Sequence, residues 1–167
     1  MSKIKYSFDQ PFTKWWATRI GQVIMNFSAL EFETYKWLSQ LSKDPQRIQE
    51  WSKMFFCARA KEVIKHIYTC FFPQDWKSKS ITTWNEIIDL ALKRNRIAHN
   101  PLLFGRSDGK ECGESDFIGI VDIKNPNKVE PFLNKDEIST IVHKIADQAV
   151  SLSSLYKELC DFIDSEN

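Results

Sequence analysis

Hydrophobic side chains recur along most of this chain every three or four residues, the spacing of helices that bury one face. From Phe12 to Leu41, at about 100° per residue, Trp16, Ile20, Val23, Ile24, Phe27, Leu30, Leu38 and Leu41 fall on one arc and predict a first long helix. A second helix is expected to start near Pro45, which suits a first helical turn. It should run through Trp51, Phe55, Val63 and Ile67 toward Cys70, with Pro73 beyond its end. A third is expected from around Ile81 to Thr83, capped by Thr82 or Thr83, with Trp84, Ile87, Ile88, Ala91 and Leu92 on its core face. Pro101 biases Asn100 away from helical geometry and should halt this helix within a residue of His99.

Between Leu102 and Phe132 the pattern changes. Leu102-Leu103-Phe104, Phe117 to Val121 and Val129 to Phe132 are short strand-like runs. Ser107-Asp108-Gly109 and Asn125-Pro126-Asn127 separate them as turns, so a β-hairpin or three-stranded flap is expected. The last helix opens with Asn134 as its cap and Glu137 three residues later, a capping box. Ile138, Ile141, Ile145, Ala149, Leu152, Tyr156 and Leu159 continue its apolar stripe. The fold class read from this pattern is all-α, a four- to five-helix bundle with a β insertion at about 102–132, forming a single domain over 1–167.

Composition adds bounds. The chain is long enough for a real core, and six Trp with twelve Phe must fill a core, an interface or both. A formal charge of +1 gives no whole-protein attraction to a polyanion, so any such site must come from local clustering. The absence of an apolar run near about 18 residues excludes a membrane span, and Met1 to Tyr6 lacks a hydrophobic signal region. Cys57, Cys70, Cys112 and Cys160 are scattered, which points to a cytoplasmic chain with reduced thiols and neither a metal site nor disulfides.

Chemistry concentrates at the end of the third helix, in Arg94-Asn95-Arg96-Ile97-Ala98-His99. Asn95 and His99 are four apart, share a face, and fall on the arc of Trp84, Ile88, Ala91 and Leu92. Polar groups on a core-facing arc need partners, or must look into a cleft or onto another chain. Arg94 lies at that arc's edge, about 140° around an ideal helix from His99. One segment is therefore unable to clamp a phosphate between its own arginine and histidine, whereas two segments facing each other are able to. Histidine titrates near neutral pH and fills either proton role in RNA cleavage by the 2′-hydroxyl. Arginine supplies a bidentate, permanently charged fork for the phosphate.

The segment resembles the Arg-x4-6-His motif of the HEPN superfamily, compact helical domains found in toxins and antiviral ribonucleases. Asn95, a polar residue directly after the arginine, and the helix-ending position match the commonest form of that motif. The resemblance covers about eight residues and the helical architecture. It implies a homodimeric, metal-independent endoribonuclease of the toxin or phage-defence kind, without cofactor, with both motifs lining one cleft. Arg94, His99 and Asn95 would be catalytic, and Lys93 and Arg106 would bind RNA. Arg96 would support them, and an antitoxin or other regulatory protein is a further partner implied. HEPN toxins paired with a nucleotidyltransferase often carry Tyr two residues after the histidine; here Pro101 stands in that place. The alternative is a non-catalytic HEPN-like module binding RNA, nucleotide or protein. A second pattern match, Arg59 with His66, lies inside a helix without the asparagine and is read as accidental.

Glu31 is a further unusual position, a carboxylate at the centre of the first helix's apolar arc between Phe27, Tyr35 and Leu38. Such a charge should be paired. The expected partner is Arg94, with Asn95 or His99 behind it, making Glu31 a buttress of the motif. Glu33 should point outward and be solvated. One of Trp15 and Trp16 must face away from the core.

Overall fold

The computed structural model describes residues 11–42, 44–99, 102–105, 117–122 and 125–165. Its elements are α1 (Pro11–Leu41), α2 (Pro45–Ser52), α3 (Phe56–Thr69), α4 (Gln74–His99), β1 (Leu102–Gly105), β2 (Phe117–Asp122), β3 (Asn125–Asn134) and α5 (Lys135–Ser165). The chain is predominantly helical. Among the described residues, Leu133 is the one core hydrophobic that does not lie on a helix. No helix among them is long and apolar enough to cross a membrane.

Aromatic packing sets how the helices meet. Trp37 of α1 stacks on Trp76 of α4 at 5.8 Å and meets Trp84 edge-on at 5.6 Å. Ten residues earlier on α1, Phe27 lies under the guanidinium of Arg94, so α1 and α4 run antiparallel. α5 packs along both, with the Trp76 indole donating to the Leu155 carbonyl and Gln148 donating to Glu86. α3 packs against the same two helices from the other side of their seam. α5, with 31 residues, covers its side of the seam, whereas α3 has only 14.

The predicted second helix is broken in two. No glycine or proline marks the break at Lys53–Phe55; a buried arginine holds it. Arg59 is 6% exposed and donates through Nη1 to the Met54 carbonyl and through Nε to Thr34 Oγ1. Its guanidinium also sits 4.3 Å over the Tyr35 ring. Ending the helix at Ser52 frees that carbonyl for the guanidinium, which would otherwise be an unpaired buried charge. His66 packs edge-on against Trp51, and burial, assisted by the charge of Arg47, pushes its pKa down. The Arg59–His66 pair therefore has a structural role.

α4 starts at Gln74, well before the predicted threonine cap. Pro73 precedes it and its carbonyl accepts from the Lys77 amide, while Trp76 is buried between Trp37, Phe72 and Phe162. Burial of that ring outweighs the local preference of Thr82 and Thr83 for a cap.

On α1 the buried stripe swings toward Leu30, Thr34 and Trp37, so Glu31 falls at its edge and is half-buried. Burying Trp37, as large as any side chain on α1, favours that rotation. Glu33 is not merely solvated: it pairs with Lys36 at 2.9 Å, and Lys36 lies 4.4 Å over Tyr156. Trp16 is fully buried, while half-buried Trp15 packs against its edge and beneath Arg19 and Lys135.

The strands form an antiparallel sheet in the order β1-β2-β3. Asn125 to Asn127, read as a turn, instead open β3. That strand lies at the sheet edge, where a proline without an N–H is tolerated. A register shift between Ile118 and Gly119 likewise places Pro131 opposite Gly119. β3 runs straight into α5, whose capping box forms as read. The Glu137 amide donates to Asn134 Oδ1 and the Asn134 amide to Glu137 Oε2, both at 2.8 Å. Asn134→Ala is expected to cost about 1 kcal/mol, measurable as a lower urea midpoint with an unchanged slope.

Candidate active site at the end of α4

Three turns of α4 outrun the helix that covers it. α3 and α4 share one connection, at which Lys77 Nζ donates to the Tyr68 carbonyl. At about 1.5 Å per residue, the 14 residues of α3 span roughly 21 Å and the 26 of α4 roughly 39 Å. The Phe27–Phe56 contact marks where α3 starts. Beyond that level no described helix covers the α3 side of the α1–α4 seam.

The exposure of α4 follows from this. Ser80 and Ala98 are 18 residues apart, about five full turns, yet Ser80 is buried and Ala98 exposed. Asn95 stands within about 20° of Trp84, yet Trp84 is buried and Asn95 exposed. Ile88 is half-buried, Leu92 is 55% exposed, and His99 is exposed. The sequence reading of Asn95 and His99 on a core-facing arc is thus corrected. Their arc is the core arc continued past the end of its cover.

Arg94 is seated differently. It is half-buried, its guanidinium lies 5.8 Å from the centre of the Phe27 ring, and Nη1 donates to Asn95 Oδ1 at 3.0 Å. Its Nε is buried without a hydrogen-bond partner among the described residues. Between described residues the ion pairs are Lys36–Glu33 and Lys65–Glu62, so the expected Arg94–Glu31 bridge is not formed. Burial pushes the Cys57 thiol up, and the nearby Glu31 carboxylate adds to that rise while Lys61 opposes it. Asn95, immediately next in the chain, orients Arg94 in place of Glu31.

The structure therefore brings Arg94 and Asn95 together and leaves His99 on the open face with Asn95. Lys93 is exposed beside them, and Arg96 is exposed but engaged. Arg106 lies outside the described residues. Compared with family models, curated proteins and solved structures, the chain matches none. The site must then be read from its own geometry. No group of three or more His, Cys, Asp or Glu suited to a metal ion occurs among the described residues.

Two residues at this end lie elsewhere than their apolar spacing predicts: Leu92 is exposed rather than in the core, and Phe55 is not inside a helix. Phe55 is instead the residue before α3, in extended geometry and 92% exposed. No local signal distinguishes them, since their apolar spacing matches that of buried neighbours.

Proposed function

We propose that this protein is a metal-independent endoribonuclease of the toxin or phage-defence kind, working as a homodimer in which two α4 ends share one RNA strand. The observation that carries this reading is the open last turn of α4, with His99 and Asn95 exposed and Arg94 fixed beside them by Phe27 and Asn95. Arg94 and His99 diverge by about 140° on one helix, so a phosphate between them needs the second copy.

In the composite site one His99 accepts the proton of the RNA 2′-hydroxyl, whose oxygen attacks the adjacent phosphorus. The P–O5′ bond breaks, and the partner's His99 protonates the departing 5′-oxygen. The products are a 2′,3′-cyclic phosphate and a 5′-hydroxyl end. With Nη1 engaged and Nε buried, the Nη2 end of Arg94 is what reaches the phosphorane. Lys93 holds the flanking backbone.

The inward seating of Arg94 also favours a second reading, a non-catalytic module that binds RNA or protein. Incubating the purified protein with single-stranded RNA in excess chelator separates the two. Cyclic-phosphate products are expected. Tight binding without cleavage at any pH between about 5 and 9 selects the module instead.

A further inference from the structure

Two polar side chains buried in this bundle find partners inside it. Thr34 donates to the Glu31 carbonyl and accepts from Arg59, and the Trp76 indole donates to the Leu155 carbonyl. Three others, at the junction of α1 and α4, do not. The Trp37 and Trp84 indole N–H groups and the Ser80 hydroxyl are buried without a hydrogen-bond partner among the described residues. All three side chains are 0% exposed. Buried polar groups are ordinarily paired, because leaving one unpaired forfeits the hydrogen bond that it makes to water in the unfolded chain.

The three belong to one cluster. Trp76, Ser80 and Trp84 stand one turn apart on a single face of α4, with about 6 Å between neighbours. The Trp37 ring meets Trp76 at 5.8 Å and Trp84 at 5.6 Å, so it lies across Ser80 between them. Indole nitrogens only donate, so the two rings cannot satisfy each other, and the serine oxygen is the one acceptor of the three. No charge is available to hold an ion. Among the described residues Arg59 is the one buried ionisable side chain, and it serves the α2–α3 break. Lys36, next to Trp37 in the chain, is turned to Glu33 and Tyr156. An anion at the junction would lack a counter-charge. The ligand that fits is small, neutral and able both to accept and to donate.

We propose that one water molecule is an integral part of this junction, accepting from the Trp37 and Trp84 indoles and donating to Ser80 Oγ. It makes three hydrogen bonds, the usual number for a buried water. It links α1 to α4 through polar contacts inside an aromatic junction. It also gives a reason for a serine on the most buried face of α4, since the hydroxyl is the acceptor that the water needs. The site stands apart from the end of α4 and does not depend on the ribonuclease reading.

A crystal structure of the full chain that orders internal waters tests this directly. A water within about 2.7–3.2 Å of both indole nitrogens and of Ser80 Oγ is expected. A Ser80 hydroxyl bonded directly to either indole, or carbon atoms packed into that space, overturns the proposal. Oxygen-17 relaxation dispersion counts long-lived internal waters in solution. Ser80→Val removes the acceptor and puts a methyl group in its place, so it should lower that count by one. An unchanged count in a folded variant overturns the proposal as well. The crystallographic readout uses the unaltered chain, so the proposal remains decidable if Ser80→Val does not fold.

Discussion

If the protein is the proposed ribonuclease, His99→Ala is expected to lower RNA cleavage by about 10³-fold or more, because the substitution removes both the base and the acid from the proposed composite site. A single positioned proton-transfer group contributes typically about 10² to 10⁴-fold, and here one residue supplies two. His99 is exposed at the last position of α4. The variant should therefore unfold within about 0.5 kcal/mol of the parent, as surface substitutions do. That separates chemistry from stability. Mixing is a sharper measurement. If each cut needs a histidine from both copies, adding His99→Ala protein at constant total concentration should reduce activity as the square of the wild-type fraction. A linear decline would mean that each copy works alone, and full activity of the variant would end the assignment of His99.

Trp37→Ala should have the largest effect on stability, about 3–5 kcal/mol as for other buried aromatics cut to alanine. Trp37 is fully buried and meets Trp76, Trp84 and Tyr156 at once. Its removal strips contacts from the α1, α4 and α5 junction together. Against a total of about 5–15 kcal/mol for a typical domain, the variant should be partly unfolded at room temperature or close to it. Urea titration followed by tryptophan fluorescence measures this. A loss below about 1 kcal/mol would show that the junction collapses around the gap, and that Trp37 does not set the rotation of α1.

Much of the architecture was legible because its signals are local. The capping box of Asn134 and Glu137 is written in two residues and forms between them. Pro45 likewise takes the first position of α2, as its fixed φ suggests, and the structure adds Asp44 as its cap, whose carboxylate accepts from the Gln46 and Arg47 amides. The periodic stripe of α5 holds for the same reason, since i, i+3 and i+4 neighbours share a face whatever the tertiary context. The break between α2 and α3 left no such trace. It depends on Arg59 reaching Thr34 across 25 residues of sequence, and no window of neighbouring residues contains both.

The candidate site divides along the same line. Sequence alone determined that Arg94, Asn95 and His99 stand on the last turns of one helix. Helix geometry likewise turns Arg94 away from His99. Tertiary structure decided everything about their surroundings. Glu31 falls at the edge of the buried stripe that Trp37 occupies, and Asn95 rather than Glu31 holds Arg94. The arc of Trp84 is buried at one end of α4 and open at the other because α3 has 14 residues and α4 has 26. Periodicity tells which side of a helix is apolar. Only the length and placement of its neighbours tells where along the helix that side meets protein and where it meets solvent.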